Sequence, residues 1–433
     1  MPSVAGVWPV KNHCEKRMKS AVIIVLNPFL YDSRVLRQAE ALVRRGHPTT
    51  VFSLHEGKLA TDEARDGYRL RRFRLKTRPW PKRKLVQGIK YLECMLQMTW
   101  TGVRLKPDFI HANDIDALPI GYLIAKIARS KLIYDSHELW SDPTCSEFPN
   151  WVFKIVTAVE AFLARRADAV ITVNDSIART MAKEMDIPVP AVIRNVPKYT
   201  TKMSEAGEHL LRRALGLAPG RPIILYIGRL ASGRGLETLI DAMAFVNPRA
   251  VAVLMGPPES AEYLENLKNR GSAANVSGRV LFHPPVAPAE VNRYATDATI
   301  GVCPIENTGL NFHYCLPNKI FECLQAGLPL VVTDLPEMSS LVRQYGVGET
   351  FPDRDANALA HALNHLLSSP TVLAEYRARV SVAAHVLTWS NEEPKLLKVY
   401  DYVSHLDRQI HNNLAPEQMA AAAGTDRTTD ARE

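Results

Sequence analysis

The sequence predicts an α/β fold built as two doubly wound domains. Three observations carry this. Short apolar runs of strand length alternate with apolar residues at helical spacing, the pattern of βαβ units and parallel sheets. The alternation runs twice, over residues 21–195 and again from Pro222, with a polar stretch containing Pro, Gly and Ser at residues 196–220 between the two. The 433 residues also exceed one ordinary core, so two units of about 200 residues each are expected.

In chain order, residues 1–19 are polar and aperiodic and read as a loose extension. Residues 21–26 are the first buried strand; the run stops at Asn27-Pro28, too short for a signal-peptide core. After the turn Tyr31-Asp32-Ser33, Val35, Leu36, Ala39, Leu42 and Val43 recur at helical spacing, with Asp32 or Ser33 as cap and Gly46 as stop. Residues 50–54 resume as a strand. The turn lacks GxGxxG, so the dinucleotide fingerprint is absent. Residues 69–75 alternate basic and apolar side chains, as an edge strand would. Residues 84–105 predict a long helix whose stripe of Leu85, Ile89, Leu92, Met95, Leu96 and Trp100 reads as core packing ahead of membrane contact.

Residues 109–111 and 131–134 are strands, each followed by a polar loop (113–116 and 135–138), with a helix at 121–128 between them. Helices at 150–166 and 176–185 and strands at 169–173 and 191–195 complete the first unit. Such sheets bind ligands at the carboxyl ends of their strands, where His111, Asp114, Asp116, His137 and Glu138 fall.

The second unit opens with a strand at 222–227 and the loop Gly228-Arg229-Leu230-Ala231-Ser232-Gly233-Arg234-Gly235. A helix carrying Leu236, Leu239, Ile240 and Met243 follows. Strands at 251–255, 279–283 and 299–303 end at Gly256-Pro257-Pro258, Pro284-Pro285-Val286 and Pro304. Residues 307–334 pass through Leu316-Pro317-Asn318-Lys319 into a short helix, stop at Gly327 and continue as a strand. Helices at 356–368, 371–386 and 393–406 follow, with Trp389-Ser390 before the last.

The chemistry concentrates in two loops. A loop that feeds a helix N-terminus suits an anion, because free N–H groups and the helix dipole both favour negative charge. Glu322, about a turn inside that helix, can accept hydrogen bonds from sugar or ribose hydroxyls. Together they suggest a nucleotide or nucleotide-sugar pocket. Arg229 and Arg234, set among glycines, suit phosphate oxygens. There is no GxxxxGK[ST] and no Asp-rich pair beside them, so neither a P-loop nor a metal site is expected. Two arginines can neutralise a leaving diphosphate without a metal or other cofactor.

Composition narrows the class. An apolar share of 46% with 23% charged residues is that of a globular protein, and no apolar run approaches the roughly 20 residues that span a bilayer. A cytoplasmic place is therefore expected. The six cysteines (14, 94, 145, 303, 315 and 323) form no CxxC or zinc spacing, which fits buried thiols in a reducing compartment. The net charge of +8 is uneven: residues 65–84 hold ten Lys or Arg against one acid, Asp66. That run is a solvated face or a contact for an anionic membrane surface. No zinc finger, helix-turn-helix or RNP-like signature accompanies it, so nucleic acid is not an expected partner.

The stretches NPFLYDSRVLRQAEALVRRGH, DFIHANDIDALPIGYLIAK, LIYDSHELW, YIGRLASGRGLETLIDAM and CLPNKIFECLQAGLPLVV together resemble a family 4 retaining glycosyltransferase of the GT-B fold, over about residues 20–410. The resemblance implies two Rossmann-like domains facing a central cleft, at residues 20–198 (acceptor) and 199–386 (donor). A crossover helix at 387–411 would return to the first domain, and a disordered tail would occupy 412–433. It implies that Arg229 and Arg234 grip the diphosphate, with Arg in the usual Lys position, and that Glu322 takes the ribose. Tyr314 stands where the family's first Glu meets the donor sugar. The branch resembled reads LPNK there, so Leu316, Pro317, Asn318 and Lys319 share the donor grip with Gly228, and Val286 lies at the base. His137 matches a first-domain His that reaches the donor sugar. Asp32, Ser33 and Arg34 replace the family's Gly-rich turn on the acceptor side, where Asp114 and Glu138 also fall. The implied reaction moves a sugar from a nucleotide-sugar, a UDP-sugar above all, to an acceptor hydroxyl with retention, in surface polysaccharide or glycolipid synthesis. The acceptor would be a sugar or a lipid-linked molecule. A nucleotide-sugar epimerase of the same fold and a non-catalytic binding protein are the alternatives.

Overall fold

A computed structural model describes residues 18–30, 32–81, 83–142, 149–199 and 208–409. Most of the expected extension, Tyr31, Lys82, Cys14, Cys145, part of the linker and the 412–433 tail lie outside the described residues.

The first domain runs β1 (Ala21–Ile24), α1 (Ser33–Arg44), β2 (Thr49–Leu54), β3 (Asp62–Arg65), β4 (Tyr68–Phe73), α2 (Lys84–Leu105), β5 (Phe109–Asn113), α3 (Asp114–Ala128), β6 (Lys131–Ser136), α4 (Asn150–Ala164), β7 (Ala169–Thr172), α5 (Asp175–Met185) and β8 (Ala191–Val192). Its strands lie in the order β3-β4-β2-β1-β5-β6-β7-β8, parallel except for β3. The second domain runs α6 (Leu210–Ala214), β9 (Ile223–Ile227), α7 (Leu236–Ala242), β10 (Val251–Met255), α8 (Ala261–Ala273), β11 (Val280–His283), α9 (Val291–Ala295), β12 (Ile300–Cys303), α10 (Leu310–His313), α11 (Asn318–Gln325), β13 (Leu330–Thr333), α12 (Pro336–Tyr345), β14 (Gly348–Phe351), α13 (Ala356–Leu367), α14 (Pro370–Val386) and α15 (Trp389–Gln409). Its sheet, β11-β10-β9-β12-β13-β14, is wholly parallel.

Helices cover both faces of each sheet, so the central strands are largely apolar, and β1, β9 and β10 are buried at every position. Asp32 caps α1 by accepting the Val35 N–H at 3.1 Å. The last helix, α15, returns to the first domain. Trp389, Leu396, Tyr400 and Val403 are buried in one cluster with Ile23, Val35 and Leu42. Each such apolar side chain contributes roughly 1.5–3 kcal/mol. The exposed Arg45–Asp401 pair on the same interface, at 3.1 Å, belongs to a class worth about 0–1 kcal/mol, so apolar packing holds the helix down.

Five sequence expectations change. The strand at 69–75 is not at the edge. β3 pairs antiparallel outside it through the turn Asp66-Gly67, where both residues have positive φ. An Asp-Gly pair is the two-residue hairpin signal, hidden here because β3 is polar. The loop at 113–116 is absent, since β5 runs straight into α3 at Asp114, whose φ is 65°. Asp135 and Ser136 belong to β6 rather than to a loop, and Trp389-Ser390 begin α15 rather than precede it. Of the α2 stripe, Met95 alone packs against the core. Cys94, Met98 and Gly102 face inward, and Leu85, Ile89, Leu92, Leu96 and Trp100 are exposed.

Gly235 holds the β9–α7 loop at φ 68°, and a Cβ there would lie 1.7 Å from the Pro304 carbonyl oxygen. Gly235→Ala is expected to cost at least about 2 kcal/mol in urea unfolding, from left-handed strain and backbone displacement.

Candidate functional site

The carboxyl ends of both sheets face one cleft, which has two lobes meeting at Asn318. The larger is about 680 Å³. Gly228, Gly256, Val286 and Glu322 line it from the second domain, and Ser33 and Arg37 from α1. Its floor depends on glycine: a Cβ at Gly256 would lie 1.9 Å from the Gly228 carbonyl oxygen. Lys319 lies beside it, its Nζ 3.9 Å over the Tyr226 ring and 3.2 Å from where a Gly228 Cβ would be. Burial raises the Glu322 carboxyl above its ordinary value, and Lys319 and Arg37 oppose that rise.

The smaller lobe is about 480 Å³. Arg34, His137, Glu138 and Asn174 line it from the first domain, and Arg234, Asn311, Leu316, Pro317 and Asn318 from the second. The Arg234 guanidinium lies 5.2 Å from the Phe312 ring. His137 Nδ1 lies 3.0 Å from Asp114, and its Nε2 lies 3.6 Å from Asp135. Burial disfavours charge on this ring, but Asp114 and then Asp135 outweigh it and push its pKa up to about 10.

Asp135 is the hub beneath this lobe. It is fully buried and pairs with Arg34 at 2.6 Å, while Gln38 donates to it at 2.5 Å. His111 Nε2 approaches it at 3.4 Å, and the other nitrogen of that ring meets the Tyr400 hydroxyl of α15 at 2.8 Å. Burial alone would raise the Asp135 carboxyl; Arg34 and His137 instead hold it well below the carboxylate range. His111 is lowered by burial, so it is neutral where His137 is charged.

Most sequence-derived candidates converge on the cleft, but some do not. Arg229 is exposed and faces Glu259 at 3.8 Å, apart from both lobes. Tyr314 packs against the first-domain core, and its carbonyl accepts from Asn174 at 2.7 Å; it is an interdomain strut rather than part of the lining. Asp32 is occupied as the α1 cap and with Asn27 at 2.9 Å. Asp116 is exposed on α3. Of the acceptor-side group, Ser33 faces the larger lobe, Arg34 and Glu138 the smaller, and Asp114 stands behind His137.

Sequence reasoning missed Arg37, Asp135, Asn174 and Asn311. Arg37 is one helical turn beyond Ser33 and Arg34, so the 3.6-residue period would have found it. Burial, then Arg34, lowers its pKa to about 10. Among the described residues, no group of three or more His, Cys, Asp or Glu side chains is placed to hold a metal ion.

Two family descriptions match consecutive parts of the chain: "Glycosyl transferase 4-like domain" over residues 31–196 and "Glycosyl transferases group 1" over residues 221–369. The alpha-D-kanosaminyltransferase of Streptomyces kanamyceticus is 25% identical over 287 residues, which are 63% of this chain and 71% of that protein. A D-inositol 3-phosphate glycosyltransferase of Jonesia denitrificans is 22% identical over 226 residues, 51% of each chain. Among solved structures, Anabaena Alr3699/HepE in complex with UDP and glucose has a TM-score of 0.70 at 19% identity, covering 90% of this chain and 100% of that one. Sucrose-phosphate synthase from Thermosynechococcus elongatus has a TM-score of 0.72 at 19% identity, covering 91% and 99%. These neighbours share the two-domain GT-B architecture with its C-terminal helix.

The folded pKa of His137 lies above its ordinary 6.5, so the stability it contributes is fully present below pH 6.5 and is lost as pH rises through about 10. Asp135→Asn is expected to cost about 3–5 kcal/mol in urea, because it strands Arg34, and to lower the His137 pKa by NMR titration. An unchanged titration would contradict the clamp.

Proposed function

The chain belongs to the group 1 glycosyl transferases, and on that premise we propose that it moves a hexose from a UDP-sugar to an acceptor hydroxyl with retention of configuration. The observation that carries this is the junction at Asn318. There a lobe containing a hydroxyl-accepting carboxylate, Glu322, meets a lobe lined by cationic side chains, Arg234 and His137 among them. The nucleoside fits the larger lobe, with its base against the Pro285-Val286 backbone and its ribose hydroxyls on Glu322. The HepE structures hold UDP and UDP-glucose, which supports uridine here.

The diphosphate lies at the junction. Gly228 allows close backbone approach, and the free N–H groups that begin α11 donate to phosphate oxygens. Arg234 and Lys319 add charge. Arg229 joins them by swinging away from Glu259. The sugar extends into the smaller lobe, and the acceptor enters between it and the first domain. As the sugar–phosphate bond breaks, Arg234 and the helix terminus stabilise the negative charge gathering on the leaving oxygen, and no metal is needed. His137, protonated at neutral pH, is a hydrogen-bond donor and cation, not a base. The acceptor proton therefore passes to a phosphate oxygen on the same face, which retains the configuration. The family's breadth leaves surface polysaccharide, glycolipid and small-molecule acceptors all compatible with this cleft.

Incubation with UDP-, GDP- and dTDP-sugars is expected to show slow hydrolysis of a UDP-sugar. Interconversion of sugars would instead mean an epimerase, and binding without turnover a binding protein. Arg234→Ala is expected to lower kcat about 10²- to 10³-fold with the fold intact, and near-normal turnover would sink the assignment. Glu322→Gln is expected to weaken UDP binding about tenfold or more by calorimetry, the loss of a charged hydrogen-bond acceptor.

A further inference from the structure

One face of the first domain has no partner among the described residues. Helices α2, α3 and α4 lie in one layer over the sheet, their inner sides sharing a core cluster that includes Met98, Ile124 and Leu163. Their outer sides break the usual rule for surface helices, which are polar outward. On α2, Leu85, Ile89, Leu92, Leu96 and Trp100 recur at spacings of four and three, opposite the buried Cys94 and Met98. Leu85 is 81% exposed, and Leu96 and Trp100 are each 62% exposed. On α4, Trp151, Ile155, Val159 and Phe162 do the same opposite the buried Glu160 and Leu163, with Trp151 67% exposed. Single exposed apolar residues are ordinary; two parallel stripes are not.

The charges stacked on the aromatic rings of this face are basic. Arg104 lies 4.1 Å over Trp100, Arg166 lies 3.4 Å over Phe162, and Lys126 lies 5.8 Å over Tyr122. Lys154 is exposed between Trp151 and Ile155 in sequence. Among the described residues of these three helices, the exposed acid is Asp116, on the first turn of α3. The basic run at 65–84 adds less than its composition suggests. Arg65 and Arg72 pair with Glu63, Arg71 pairs with Asp62, and Arg78 pairs with Glu56.

We infer that the outer face of α2 and α4 docks on an anionic lipid bilayer. Aliphatic and Trp side chains enter the headgroup boundary, and the arginines and lysines stacked beside the aromatic rings meet lipid phosphates. A second copy of this chain fits less well, because it would bring like charges together. The face also ends at the cleft. A crossover helix runs back antiparallel to its strands, so the ends of α2 and α4 that carry Leu85 and Trp151 lie at the carboxyl edge of the sheet. Docking would set the mouth of the cleft at headgroup level.

The test is co-sedimentation with vesicles of phosphatidylcholine alone and with about one-third phosphatidylglycerol. The proteins are the full chain, a Leu96→Ser/Trp100→Ser variant and a Trp151→Ser/Ile155→Ser variant. These side chains are exposed, so the melting temperature is expected to hold. The expected result is binding to the anionic vesicles, at least tenfold weaker in each variant, with Trp fluorescence quenched by brominated lipid in the full chain. Absence of vesicle binding would overturn the inference, as would binding that both variants retain. A micromolar dimer abolished by the same substitutions without lipid would also overturn it and assign the face to self-association. None of these readouts depends on the proposed transfer reaction.

Discussion

The first domain depends on keeping one charge, the Asp135 carboxylate, in a place with no water. An unpaired buried carboxylate costs several kcal/mol, so its partners are obligatory. They come from three elements on this side of the cleft: Arg34 and Gln38 from α1, His111 from β5, and His137 just past β6. Through His111 the network reaches Tyr400 on α15, which leaves the second domain to pack here. The same carboxylate therefore locks α1, seats the crossover helix and keeps His137 charged beside the cleft.

The two domains meet differently. Each core cluster belongs to one domain, apart from the helix α15, the Tyr314 ring and Val196 at the start of the linker. Across the cleft the joints are hydrogen bonds. Asn311 accepts from Leu139 and donates its own N–H to Asp142, and Glu337 accepts the Ser176 N–H at the start of α5. Each is worth about 1 kcal/mol net, because water replaces it on opening. Such joints suit a cleft that must admit and release ligands, while the apolar seat of α15 keeps the halves tethered.

Much of the architecture was legible because buried parallel strands and amphipathic helices leave strong periodic signals. β9, β10 and α2 fall where their patterns put them. β3 was not legible as a strand, because a polar edge strand resembles a loop. Asp135 was missed for a related reason. A charged residue at the end of an apolar run reads as the start of a loop, and nothing local shows that Arg34, a hundred residues earlier, is there to meet it. The preference for core packing failed for most of the α2 stripe because periodicity reports an apolar face without reporting what the face touches.

Alone, then, the sequence determined two doubly wound domains, a helix start at Asn318, and Glu322 and Arg234 as polar groups of the cleft they line. Those are local matters of spacing, dipole and residue type. Only the tertiary structure separated Arg229 from Arg234, turned Tyr314 from a ligand contact into an interdomain strut, and set His137 between two carboxylates. These depend on which strand ends are neighbours and which side chains water can reach, quantities that exist only once distant segments share one sheet.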